Sequence, residues 1–189
     1  MELNFPNDIE HRVKDGWRIL FHGTCRDIEA FSEHAVGGGG DDNSALGVHL
    51  TDHAHHAAEY AQMGDGDGVV LIVMAPGKNP FAVSDYDLFF GLNEHGSPDP
   101  DFGRVGFSRW RNDLLSQGHD VVDYEDGNGP ITVALDPSRL LVVGRLSVDK
   151  AMELGEMMDA LEDPFDTSVR VNFLRLILPA QPVFRSPRP

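Results

Sequence analysis

Three short segments hold the side chains in this chain that could do chemistry. The first is Leu20-Phe21-His22-Gly23-Thr24. The second is Gly47-Val48-His49-Leu50-Thr51-Asp52, with Tyr60 eleven positions after His49. The third runs from Asp126 to Pro137 and is preceded by Glu125. At Gly23 or Gly47 a ligand amide can approach the backbone closely, where one N–H and one C=O can pair with it. A histidine beside such a glycine can hydrogen-bond a ribose hydroxyl. An aromatic ring such as Tyr60 can stack on a flat heteroaromatic ring. The combination His22, Gly23, Thr24, Gly47, His49 and Tyr60 suits the nicotinamide end of a dinucleotide. The chain holds neither Gly-x-Gly-x-x-Gly nor Gly-x-x-x-x-Gly-Lys-Ser/Thr, so the dinucleotide-binding and P-loop fingerprints are both excluded.

The elements that must position these residues are short. Trp17 to His22 reads as a buried strand after a polar lead-in over 1–16. Cys25 to His34 reads as a short helix or turn. Gly37-Gly38-Gly39-Gly40-Asp41-Asp42-Asn43-Ser44 reads as a mobile, lid-like loop. Leu46 to Thr51 is a second strand, and Asp52 caps a helix over His53 to Gln62. In that helix Ala54, Ala57, Ala58 and Ala61 make a thin stripe for close packing, with Tyr60 at its edge. After a glycine-rich turn at 64–68, Val69 to Met74 is a strand. Asn79 to Gly106 reads as loop, Phe107 to Gln117 as helix, Ile131 to Leu135 and Leu140 to Leu146 as strands. Glu125 and Asp126 fall in the turn before Ile131. Ala151 to Glu162 is a helix, and Val169 to Leu178 a helix or strand ahead of a proline-rich tail. Parallel βαβ alternation is missing, so the expected class is α+β. The expected division is one domain over 1–146 and a helical extension with a tail over 147–189.

The chain has 189 residues, 41% hydrophobic and 24% charged, with a formal net charge of −16. A surface this acidic repels phosphate backbones and argues against tight non-specific nucleic-acid binding. Residues 164–189 run the other way, with four arginines against one aspartate. Cys25 is the single cysteine, which fits a reducing compartment. Met1 to Pro6 shows no basic and apolar signal, and the longest apolar run, Val69 to Ala75, is too short for a membrane span. A soluble, cytoplasmic protein with no membrane partner is expected, or one delivered into another cell's cytoplasm.

His-Gly-Thr, then Gly-x-His-Leu-Thr-Asp, then Ala-Ala-Glu-Tyr-Ala, in that order and spacing, resembles the ADP-ribosyltransferase superfamily. The resemblance is to the branch with a His-Tyr-Glu signature, which includes diphtheria toxin, the poly(ADP-ribose) polymerases and small bacterial or phage transferases. It covers about residues 17–145. It implies a split β-sandwich of two short, roughly perpendicular antiparallel sheets with flanking helices, and NAD⁺ as co-substrate. It implies that His22 holds a ribose hydroxyl, that the Gly23 backbone clamps the nicotinamide amide and that Tyr60 stacks on the ring. The branch's first tyrosine is replaced by His49, and a serine that touches the amide corresponds to Ala57. Where the polymerases have a glutamate, five positions before an aspartate, this chain has Ile131 before Asp136. The needed carboxylate then comes from Glu125, from Asp126 or from the acceptor itself. The expected catalytic set is His22, His49 and Glu125. The implied activity is mono-ADP-ribosylation of a macromolecule, a protein rather than a nucleic acid, and the implied partners include a cognate inhibitor or immunity protein.

Competing readings stand beside this one. A degenerate fold that binds NAD⁺ or ADP-ribose without turnover explains Ile131. An RNA 2′-phosphotransferase also has a His-Gly-Thr strand, but the acidic balance opposes RNA. His49, His53, His55 and His56 invite a zinc site. The strand-to-helix junction spoils their spacing and no further ligand is evident, so no metal is expected. Cys25 lacks a clear base. Arg104, Arg109 and Arg111 are candidates for pyrophosphate or acceptor binding, with solvated surface as the alternative.

Overall fold

The computed structural model describes residues 7–26, 28–33, 36–38, 40–63, 67–84, 101–127, 129–160 and 171–172. In chain order these contain α1 (Asn7–Lys14), β1 (Trp17–Thr24), β2 (Val48–Thr51), α2 (Ala54–Gln62), β3 (Val69–Pro76), β4 (Pro80–Ala82), α3 (Gly103–Ser116), β5 (Val121–Asp126), β6 (Gly129–Ala134), β7 (Leu141–Ser147) and α4 (Val148–Asp159). The class is α+β, as expected. The expected element over 169–178 and the proline-rich tail lie almost wholly outside the described residues, as does most of the loop before α3. The chain groups into two compact units. One comprises Met1–Ala30, Asp52–Ala75 and Leu141–Pro189; the other comprises Phe31–Thr51 and Pro76–Leu140.

In the first unit the strand order is β1-β3-β7. β3 and β7 pair antiparallel from Val69↔Ser147 to Met74↔Leu141, with one irregularity between Ile72 and Val73. The run Val70 to Ala75 is buried without interruption, which is how a strand covered on both faces reads. Ile19 and Phe21 of β1 join Val70, Ile72, Met74, Leu146, Leu154 and Met158 in one core. Each such side chain contributes roughly 1.5–3 kcal/mol by leaving water. The expected alanine stripe is present: Ala54, Ala57, Ala58 and Ala61 are all fully buried in that core. α4 begins at Val148, three residues before the expected start. Ser147 explains this, because its hydroxyl accepts from the Lys150 N–H and caps the first turn.

In the second unit the order is β4-β5-β6-β2. β5–β6 and β2–β6 are antiparallel, as expected, but β4 joins β5 parallel. β4 lies in a stretch expected to be loop. It opens on Pro80, which has no N–H to donate, and such a residue is tolerated on an edge strand. α3 starts four residues before the expected Phe107. There Phe102 packs edge-on to Phe107 and Trp110, with ring centroids 5.1 and 6.3 Å apart. β2 begins at Val48, because Ala45 and Leu46 are drawn into the core with Phe107, Leu114, Val122 and Val133.

The glycine segment expected to be a mobile lid is instead folded where it is described. The Gly37 N–H donates to the Ser44 carbonyl at 2.8 Å, Asp42–Ala45 forms a 3₁₀ turn, and Arg104 donates to the Gly37 carbonyl. Cys25 to Phe31 forms bends rather than a helix where it is described.

Among the glycines described in the first unit, Gly23 has the least room for a side chain. A Cβ there would lie 1.8 Å from the Ala57 carbonyl oxygen and 2.8 Å from the Ala61 nitrogen. Gly23→Ala should therefore lower the unfolding free energy by about 3 kcal/mol in urea titration, at the upper end of overpacking costs. Gly40→Ala, with no atom within 4 Å of its added methyl, should change it by less than about 0.5 kcal/mol. Equal effects of the two substitutions would show that the close approach is not structural.

Candidate functional site

The candidate residues divide between the two units. In the first unit, alternation along β1 sends Ile19, Phe21 and Gly23 toward the core that α2 covers. Arg18, Leu20, His22 and Thr24 fall on the other face by the same alternation. His22 is half-buried there. Gly23 abuts the peptide that joins Tyr60 to Ala61, so the His-Gly-Thr strand and the Tyr60 turn of α2 meet. Tyr60 is half-exposed at the edge of the alanine stripe, with its neighbours Ala57 and Ala61 fully buried. The Thr24 hydroxyl bonds to the Arg26 carbonyl at 3.0 Å and accepts from the Arg26 N–H, which closes the strand end into a turn. The glycine at 23 is thus demanded by helix packing, whatever ligand its backbone serves.

In the second unit, the pairing register sorts the candidates by face. Val122, Val133 and His49 form one cross-strand row, and Tyr124, Ile131 and Thr51 form the next on the same face. Glu125 is opposite Pro130, one residue out of phase, so it projects from the reverse face. Asp126 returns to the face of Tyr124 and His49. Neither acid lies in a turn; both are the last residues of β5, and Glu125 is exposed. Ile131 is buried at 5% exposure on the His49 face.

His49 is held at both ring nitrogens. Nε2 lies 3.3 Å from the Asn43 carbonyl, and Nδ1 lies 3.4 Å from the Tyr124 hydroxyl. A carbonyl only accepts, so Nε2 carries the proton and, in the neutral ring, Nδ1 accepts from Tyr124. The two rings meet edge-on at 6.2 Å. Tyr124 is the residue that sequence reasoning missed; the alternation Val122, Tyr124, Asp126 was the available signal. Gly47 is buried, and a Cβ there would lie 2.2 Å from the Ala134 carbonyl oxygen. Like Gly23, it is a close-packing glycine.

The arginines separate by what they touch. Arg111 donates through Nε to the Leu135 carbonyl at 2.6 Å and through a terminal nitrogen to Glu33 at 2.9 Å, with its side chain only 14% exposed. Arg104 ties the glycine segment, facing Asp42 at 3.7 Å. Arg109 is exposed. Cys25 is an exposed free thiol. No helix among the described residues is long and apolar enough to cross a membrane.

No protein-family profile and no curated protein matches the chain. Among solved structures, an anti-CRISPR protein aligns over 69% of this chain and 96% of its own, at 16% identity and a TM-score of 0.41. The MbcT–MbcA toxin–antitoxin complex of M. tuberculosis aligns over 74% of this chain and 90% of its own, at 13% identity and a TM-score of 0.44.

The Arg111 contacts generate a test of role. Arg111→Met should cost about 2 kcal/mol of stability in urea titration, because a charge-assisted hydrogen-bond pair is lost and the Leu135 carbonyl is left unmet. Arg109→Met should be neutral by the same measure. A neutral Arg111→Met would return that residue to the pool of candidate anion ligands.

Proposed function

We propose that this protein binds NAD⁺ and transfers its ADP-ribose group to a macromolecular acceptor, a protein rather than a nucleic acid. The observation that carries the reading is the meeting of His22-Gly23-Thr24 with the Tyr60 turn of α2 in one packed unit. Two motifs read separately from the chain, and matched separately to the His-Tyr-Glu transferases, come together in space. His22 is suited to a ribose hydroxyl, and the half-exposed Tyr60 ring to stacking on nicotinamide.

The chemistry is cleavage of the bond between the nicotinamide nitrogen and the ribose C1′. That bond's electron pair leaves with nicotinamide, which departs neutral and needs no general acid. Positive charge develops on the ribose, as in glycoside hydrolysis, and a nucleophile of the acceptor then bonds to C1′ and loses its proton. A carboxylate near the ribose would stabilise the charge and orient the acceptor. In the second unit, Asp126 shares the face of His49 and Ile131 and is the acid proposed for that role; Glu125 is on the reverse face. The −16 net charge favours a protein acceptor over RNA.

A second reading is favoured by Ile131, which is buried where the resemblance expects a glutamate. On that reading the chain binds NAD⁺ or ADP-ribose without turnover. A cognate inhibitor is a proposed partner on either reading.

Purified full-length protein with labelled NAD⁺ and a cell lysate should release nicotinamide and label protein. His22→Ala should lower both about 100-fold, the loss typical of one removed preorganised donor. Asp126→Asn should lower turnover while Glu125→Gln leaves it near the parent value. Wild-type release no greater than that of His22→Ala would sink the enzymatic claim. Calorimetric NAD⁺ binding without release would establish the second reading in its place.

A further inference from the structure

We propose that His53, His55 and Asp159 form a binding site for a divalent transition-metal ion that clips the start of α2 to the end of α4. One ligand atom from each of these side chains lies within 4.8 Å of the other two. His53 Nδ1 is 3.7 Å from one Asp159 oxygen, and His55 Nδ1 is 3.6 Å from the other. Ligands about 2.1 Å from a tetrahedral ion stand roughly 3.4 Å apart, close to the two histidine–aspartate distances.

The arrangement is built into the packing. His53 is the N-cap residue of α2, which brings its side chain to the start of that helix. Asp159 is the last residue of α4. The two helices come together there because α4 has glycine at 155. A Cβ at that position would be 2.8 Å from both the Cβ and the Nδ1 of His55. The imidazoles cluster tightly, with ring centroids 5.2 Å apart for His53 and His55 and 4.7 Å for His55 and His56. His56 is buried at 7% exposure, and its Nδ1 has no hydrogen-bond partner among the described residues.

The chemistry of the donor set selects the ion. Two imidazoles and one carboxylate suit zinc, cobalt(II) or nickel(II) over magnesium or calcium, which prefer oxygen ligands. A ligand imidazole must be neutral. Asp159 is half-exposed, which leaves the solvent side open for a bound water. The role is structural: the ion would fasten α2, the helix that also carries the Gly23 contact.

The test uses the full chain free of any histidine tag. Cobalt(II) titration should give one saturable equivalent with visible d–d bands, and zinc should displace it. His55→Ala and Asp159→Asn should each weaken binding roughly 100-fold, and His11→Ala should leave it unchanged. Zinc should raise the melting temperature of the parent and not of either variant. Imidazole nitrogen shifts of the parent protein read the site without any substitution, and zinc should move His53 and His55. Absence of saturable micromolar binding overturns the proposal. So does binding that survives in folded Asp159→Asn protein, or a zinc response confined to His11 or His119.

Discussion

The carbonyl of Ala57 and the amide of Ala61 leave no room for a side chain at Gly23, and the first unit depends on that contact. A helix can lie this close to a strand only if both surfaces are nearly bare. α2 supplies alanine at 54, 57, 58 and 61, and β1 supplies glycine at the crossing. The same economy recurs around the helix. Gly68 meets the Ala61 carbonyl, and Gly155 meets His55. Small residues let backbones approach, and dispersion contacts then accumulate over short distances. The approach leaves Tyr60 at the helix edge and turns His22 to the strand face away from the helix.

In the second unit the governing constraint is the two-residue period of a strand. Register fixes which side chains share a face, and a shift of one residue exchanges the faces. His49, Tyr124 and Ile131 fall together, and Glu125 falls opposite. Which acid shares a face with His49 is therefore set by parity rather than by distance along the chain. His49 is anchored at both ring nitrogens, with its tautomer set by a backbone carbonyl.

Much of this was legible before any coordinates. The alanine stripe, the buried β3 run and a strand starting at Trp17 follow from local patterns, because burial imposes periodicity on short segments, although β1 runs two residues past the expected His22 to Thr24. The start of α4 was expected at Ala151, and Ser147, a capping residue before the helical run, is the signal that reading passed over. β4 was not: a three-residue strand opening on proline has no local signature, and its pairing with β5 supplies its only support. The glycine segment misled for a related reason. Glycine permits disorder, but a turn pinned by Arg104 uses the same residues.

The histidines show where local reading ends. His49, His53, His55 and His56 are close in the chain, and grouping them was natural. The fold gives His49 to Asn43 and Tyr124, and pairs His53 and His55 with Asp159 from a distant helix. By itself the sequence determined the α+β class, the elements around His22 and Tyr60, and the acidic character of the surface, because those properties depend on composition and short-range periodicity. Only tertiary structure decided which acid shares a face with His49, why position 23 must be glycine, and which carboxylate completes the histidine pair. Those three depend on register and on the approach of backbones far apart in the chain, and no local window contains them.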